Sequence, residues 1–416
     1  MAEQKSKATT IIEINQGIVG PKRPLAKNVN IKPLGAYPDV PKAYRDTARL
    51  YSSTRLIGPP ICDEMMDLIM HMFTEEEADI VRHFKPMMRM TAEKAAKASQ
   101  RPVAEVRRIL DHLSREKFIL LAMGDGPKRK YAVMPIVPGT FEAVMMTTSM
   151  EILSDWQRRF AELFERLVET GFLTDYLKYD IPAVRYLPSH QAMGLGQSAL
   201  PSDRLEEIMD RYKTFGVTMC QCGMTEVIAG RGCGRPLENC VIFGAGMVNV
   251  LAKAGKARII DKQEAVEIKR QAEQAGLVSW IFNEDSGKHG SSSCSCCGCC
   301  CHMMQTVTQY NMPAMIAPPR YLPVFDMNTC NYCAKCALRC PLGAITVDTR
   351  NKTHRHDLKR CVGCGQCVVA CEKNMAITME PVRDYKKPPG SYVALGARLT
   401  PNMIRTSVSA WLARRW

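Results

Sequence analysis

Between residues 74 and 115 the apolar positions recur at helical spacing. Thr74 with Glu77 three residues on forms a capping-box pattern, opening a helix that carries Ile80, Val81 and Phe84. Thr91 caps a second helix through Ser99. A third starts at Pro102, with Val103, Val106, Leu110 and Leu113 on one face. The period then shortens to that of strands. Phe118 to Leu121 and Tyr131 to Met134 read as a hairpin turned by Gly124-Asp125-Gly126-Pro127, with Lys128-Arg129-Lys130 at its tip. Residues 46–140 are therefore expected to form a winged-helix-like domain. Residues 141–216 read as a helical region. Its stripe of Ile152, Trp156, Phe160, Leu163, Phe164 and Leu167 suits a core, and its last helix runs from Ser202-Asp203 through Tyr212.

Downstream, a helix from Asp261 to Ala275, stopped by Gly276, centres a module over 217–320. Pro313, Pro318, Pro319 and Pro323 mark a linker. Residues 321–381 hold two matching short strands, Ala344-Ile345-Thr346-Val347 and Ala376-Ile377-Thr378-Met379. In the tail, 382–416, Thr400 and Pro401 are expected to start an amphipathic helix with Ile404, Val408, Trp411, Leu412 and Trp416 on one face. Such a helix suits a membrane surface or a partner groove. Residues 1–45 lack periodicity and read as an extended arm. The fold class expected is α+β and multidomain.

Composition changes this picture in two ways. The chain has 416 residues, 56 Lys and Arg, and 42 Asp and Glu, so 56 − 42 gives a net charge of +14. That balance suits an acidic protein partner, a membrane surface or nucleic acid. Yet Glu75 to Lys130 carries 13 Lys and Arg against 9 Asp and Glu, a net of +4, modest for a DNA footprint. Arg101, Arg107 and Arg108 on the third helix are the residues that could reach phosphates. No stretch approaches the ~20 apolar residues of a membrane span, and the first residues do not read as a secretory signal. The expected location is cytoplasmic, with peripheral attachment to the inner face of the membrane open through the C-terminal helix.

The second change is cysteine. Cys62 stands alone, and the other eighteen of nineteen lie between Cys220 and Cys371. In a reducing compartment such clustering reads as metal or cluster ligation rather than disulfides. Cys330-x2-Cys333-x2-Cys336-x3-Cys340-Pro341 recurs as Cys361-x2-Cys364-x2-Cys367-x3-Cys371. A tight C-x2-C-x2-C loop wraps three corners of a cubane, and the fourth thiolate must arrive from elsewhere. This region resembles bacterial-type two-[4Fe–4S] ferredoxin domains. The resemblance implies that Cys330, Cys333, Cys336 and Cys371 hold one cluster, and Cys361, Cys364, Cys367 and Cys340 the other. Glu372 departs from the pattern, standing where the first run has Pro341. The alternative chemistry is a pair of four-thiolate zinc sites.

The central cysteines are harder to partition. Cys220, Cys222, Cys233 and Cys240 come first, then Cys294, Cys296, Cys297, Cys299, Cys300 and Cys301, with Gly298 giving the loop freedom to fold. The simplest assignment gives the first four one cluster and a subset of the last six another. A mixed assignment, a cluster of unusual nuclearity and a structural zinc knot are alternatives. His302 is a further candidate ligand or a bystander, and His354 and His356 are expected at the surface. Several segments resemble 4Fe–4S-binding proteins of anaerobic bacteria and archaea: Pro236 to Gly244 after the C-x-C segment, Ala275-Gly276-Leu277-Val278, Cys296 to Cys301, and Phe73 to Ala78. That resemblance implies anaerobic electron transfer as a subunit beside redox protein partners.

No dinucleotide fingerprint and no phosphate-binding loop stands out, although Gly244-Ala245-Gly246 is a weak echo of the former. The expected function is a non-catalytic electron-transfer subunit relaying low-potential electrons. Two [4Fe–4S] clusters would sit in the C-terminal domain and one or two more in the central module. The alternatives are a catalytic iron–sulfur oxidoreductase with a substrate-binding central cluster, and a redox-sensing winged-helix DNA-binding regulator.

Overall fold

The computed structural model describes residues 11–193, 205–285 and 291–413. Ser202, Asp203, Arg414, Arg415 and Trp416 lie outside them. The chain mixes helix and sheet and divides into two compact units. One holds residues 27–146, 153–176 and 404 onward; the other holds the chain up to Ala26, residues 147–152 and 177–403. The region read as one helical block over 141–216 is thus shared between the two.

In the first unit, Thr74 accepts from the Glu77 amide and Glu77 accepts from the Thr74 amide, closing the capping box on the helix Glu75–Val81. Thr91 caps Ala92–Ser99. Pro102 precedes Val103–Arg115 as its cap, one position before the first helical residue. The strands are Leu120–Met123 and Lys130–Val133, joined at one edge by Met90–Thr91. A second capping box, Ser154 with Gln157, opens Asp155–Glu169, which buries Phe160, Leu163, Phe164 and Leu167. Ile152 lies outside that helix and is exposed. Trp156 donates its indole N–H to the His71 carbonyl at 3.1 Å, fixing this helix against Asp63–Met72.

Most of the arginines that could have read a phosphate backbone are held by carboxylates. Arg101 contacts Glu76, Asp79 and Glu105, and Arg107 pairs with Glu93. Arg129, at the hairpin tip, turns back onto Asp111 at 2.8 Å. Cys62 is buried in this unit, and burial pushes its thiol up to about 12.

The second unit is built on a six-stranded antiparallel sheet that the cysteine density obscures in the sequence. Its order is Val184–Tyr186, Val278–Phe282, Ser291–Cys296, Glu238–Phe243, Phe215–Met219 and Arg258–Ile260. Phe215, Val217, Val241, Phe243 and Ile281 form its core with Ala265 of the helix Lys262–Gln274. Asp261 caps that helix and Gly276 ends it at φ +77.

Where an extended arm was expected, Ile12–Asn15 and Ile18–Pro21 form a hairpin. It adds to Ile345–Asp348, giving a four-stranded sheet closed by Thr353–His356. Tyr321–Phe325 pairs separately with Ile377–Pro381. The C-terminal helix also differs from expectation. It runs unbroken over Tyr392–Ala413 with Pro401 inside it. Ser391 accepts from the Ala394 amide at the start, while Thr400 donates its hydroxyl to the Gly396 carbonyl instead of capping. A proline inside a helix removes one backbone bond, which the long flanking segments tolerate here. Ile404, Val408, Trp411 and Leu412 are all exposed. Among the described residues no helix is long and apolar enough to cross a membrane.

Candidate metal centres

The two C-terminal cysteine runs adopt matching backbones. Tyr332 and Ala334 stand at φ +55 and +60, and their counterparts Gly363 and Gly365 at +65 and +72. These left-handed residues curl each loop inward before the short helices Lys335–Arg339 and Gln366–Ala370. The Tyr332 amide donates to Cys330 Sγ at 3.4 Å, and the Ala344 amide to Cys340 Sγ at 3.2 Å, both of a kind that favours thiolate.

Each run contributes three cysteines to one cavity and one to the other. Cys340, Cys361, Cys364 and Cys367 line a cavity of about 350 Å³, and Cys330, Cys333, Cys336 and Cys371 one of about 390 Å³. Burial pushes the Cys336 and Cys361 thiols up to about 12. Loading a cluster must therefore displace protons. Cys333 alone among these eight is exposed.

His354 and His356 are not simple surface residues. They project from one face of Thr353–His356, half-buried against Phe325, with ring centroids 4.2 and 5.2 Å from it. His354 lines the Cys330 cavity and His356 the Cys340 cavity, and Nε2 of each is buried without a hydrogen-bond partner. Burial lowers both imidazoles from their ordinary value. Alternation along the strand is the signal that could have placed them together.

The central ten cysteines gather in two groups that mix the segments. In one, Cys233 meets Cys297, Cys299 and Cys300, all four sulfurs lying within 4.8 Å of one another. In the other are Cys220, Cys222, Cys240, Cys294, Cys296 and Cys301. Strand geometry explains much of this. Cys294 and Cys296 share one face of Ser291–Cys296, and Cys240 sits beside Cys294 on the neighbouring strand, with sulfurs 3.0 Å apart. Cys301 closes the group against Cys222 and Cys296, whose thiols hold it well below its ordinary range. Cys220 caps the helix Gln221–Ile228 through the Gly223 amide, and Cys301 stands at the N-cap position of the helix His302–Thr308, so both sulfurs lie at helix N-termini. Burial pushes the Cys220 thiol well up. In the four-sulfur group the neighbouring thiols of Cys297, Cys299 and Cys300 draw Cys233 down. The simplest partition, Cys220, Cys222, Cys233 and Cys240 against the later run, is not the one in which the sulfurs meet. Cys233 lies in the loop after Gln221–Ile228 and turns away from the other three.

A half-buried arginine and a buried lysine accompany the two groups. Arg235 donates to the Ala275 carbonyl at 3.0 Å and to Cys299 Sγ at 3.5 Å. Lys269, fully buried, donates to the Ser293 carbonyl and the Ser295 hydroxyl at 2.5 and 2.9 Å, on the far face of the cysteine strand. Burial pulls its ammonium down to about 8. No local sequence pattern marks either residue. His302 is buried at the head of its helix, outside the four-sulfur group.

The donor chemistry fits iron–sulfur cofactors: convergent thiols, inward amides and little competing oxygen. Residues 322–372 match the family model of the 4Fe-4S dicluster domain. No curated protein and no solved structure matches the chain. Residues 322–372 are a ferredoxin-type 4Fe–4S domain, and the group Cys233, Cys297, Cys299 and Cys300 is of the kind that binds metal.

Proposed function

We propose that the chain is a non-catalytic subunit relaying low-potential electrons within an anaerobic oxidoreductase complex. Two [4Fe–4S] clusters would be held by Cys330, Cys333, Cys336 and Cys371, and by Cys340, Cys361, Cys364 and Cys367, with further iron–sulfur chemistry at the six-thiol centre. Bound clusters supply one-electron transfer. The protein holds the thiolates, supplies amide donors and excludes water.

The observation that carries this reading is the shared packing of the sulfur sites. Cys296 and Cys301 of the six-thiol centre occupy one apolar core with Leu342, Val362 and Cys364 of the ferredoxin domain. A relay needs such continuity; independent binding sites do not. Exposed Cys333 marks the cluster from which a redox protein would take or deliver electrons. The exposed Ile404, Val408, Trp411 and Leu412 suit docking to a partner subunit or a membrane surface, and the N-terminal helices with their hairpin suit protein contact. Redox-titrated EPR of the anaerobic full-length protein tests the reading. Interacting spectra from two reduced clusters are expected, and a zinc-loaded C-terminal domain would refute it.

A second reading rests on the six sulfurs of the central group. A single cubane takes four thiolates. The surplus suits a cluster that binds substrate directly, which would make the chain catalytic. Substrate-dependent changes in the EPR spectrum of the Cys330→Ser, Cys361→Ser double variant would favour it.

A further inference from the structure

The four-sulfur group is too tight for a cubane. Cys233 and Cys297 sulfurs are 3.9 Å apart, Cys299 and Cys300 sulfurs 3.8 Å apart, and all four lie within 4.8 Å of one another. A regular tetrahedron of metal–sulfur bonds of about 2.3 Å has an S···S edge of about 3.8 Å. In a cubane each thiolate binds a different iron, and the intervening core spreads the four sulfurs to about 6 Å. Among the described residues no other three metal-ligating side chains gather so closely, the ferredoxin cysteines included.

We propose that Cys233, Cys297, Cys299 and Cys300 hold a single divalent metal ion, zinc or iron, in a tetrahedral tetrathiolate site. The loop carrying three of these ligands cannot readily widen. Thr308 donates its hydroxyl to the Gly298 carbonyl at 2.8 Å, Gln305 donates to the Cys299 carbonyl at 2.9 Å, and the Cys301 amide to the Cys297 carbonyl at 3.2 Å. Gly298 itself is pressed against the Pro341 carbonyl. Cys297, Cys299 and Cys300 are buried, which suits a closed four-protein-ligand site without an open position. Four thiolates around a divalent ion leave a net charge of −2, and the Arg235 guanidinium on Cys299 offsets part of it. The six remaining central thiols are then the ones left for iron–sulfur chemistry. The proposal is independent of the relay reading, which is decided by the ferredoxin clusters.

The test compares full-length protein, purified anaerobically, with its Cys233→Ser, Cys300→Ser double variant. The expected result is the loss of one metal ion per chain with cluster iron unchanged. If the ion is zinc, X-ray absorption at the zinc edge of the unsubstituted protein shows four sulfurs and no neighbouring metal. If it is iron, the Mössbauer spectrum contains one high-spin tetrathiolate doublet that the variant lacks. Loss of about four irons from the variant, the content of one cubane, overturns the proposal, as does no loss of metal at all. Should the variant fail to fold, the unsubstituted protein still decides: a protein that shows no zinc tetrathiolate and no mononuclear iron doublet overturns it.

Discussion

Gly298 lies so close to Pro341 that a β-carbon at position 298 would stand 1.6 Å from the Pro341 carbonyl oxygen. Pro341 follows Cys340, so the central cysteine loop and the ferredoxin domain meet backbone to backbone. The glycine is needed for this approach, and not for a left-handed turn, since its φ is not positive. Gly298→Ala should cost about 3 kcal/mol or more, because a backbone atom cannot move aside as a flexible side chain would. Thermal melting of the anaerobic protein checks this. A variant with unchanged melting temperature and full iron content would show that the two segments are not in contact.

His354 and His356 each line one ferredoxin cavity and carry a buried Nε2 that has no hydrogen-bond partner. Hydrogen bonds to cluster sulfur raise reduction potentials. His354→Leu should lower the potential of the Cys330 cluster, and His356→Leu that of the Cys340 cluster, each leaving the other largely in place. Potentiometric EPR separates the two. Potentials that stay fixed in both variants would mean the imidazoles face away from the sulfurs.

Asp111 links the helix Val103–Arg115 to the hairpin, accepting from Arg129 and from Tyr131, each at 2.8 Å. Burial alone would raise its carboxyl, but the bonds from Tyr131 and Arg129 outweigh it and hold the pKa below its ordinary 3.8. With the folded value depressed, the stabilisation is complete above the unfolded pKa and fades as pH falls through the folded one. Asp111→Asn should cost about 1–2 kcal/mol at neutral pH. It should also lose part of the acid dependence below about pH 4. Denaturant melts at pH 7 and pH 3 measure both; an equal loss at the two would exclude the charged contact.

The two cysteine repeats differ in what they tolerate. A β-carbon at Gly363 would come within 2.2 Å of the Tyr321 carbonyl oxygen, at a φ of +65. Its counterpart in the other repeat is Tyr332, whose side chain fits at φ +55. Gly363→Ala should therefore lower iron occupancy of the Cys340 site, whereas Tyr332→Gly should leave both clusters loaded. Iron counting with Mössbauer spectra distinguishes these outcomes.

Much of this was legible in the sequence where local rules act alone. The capping residues Thr74, Thr91 and Asp261 mark real helix starts because each needs only a backbone amide three residues away. The grouping of the eight C-terminal cysteines around two cavities was readable because loop spacing encodes it. The central partition was not. Cys233 joins Cys297 only through the pairing of strands far apart in sequence, and no local pattern carries that register. The same reason hides Lys269 and Arg235. The Thr400-Pro401 pair misled because a helix already begun at Tyr392 runs through it.

The hairpin Ile12–Pro21 gives the last consequence. Thr349 donates its hydroxyl to the Gly17 carbonyl across 332 positions, and Val19 pairs with Val347. During synthesis the early hairpin leaves the ribosome long before its sheet partner is translated. Its pairing edge stays open through that interval, an invitation to strands of other chains. The sheet on which the cluster loops are mounted can close only once Ile345–Asp348 has been made. Such distant pairing is slow, so metal loading and edge closure compete in time. Cells that starve the protein of iron should then accumulate it as insoluble chains joined through this edge.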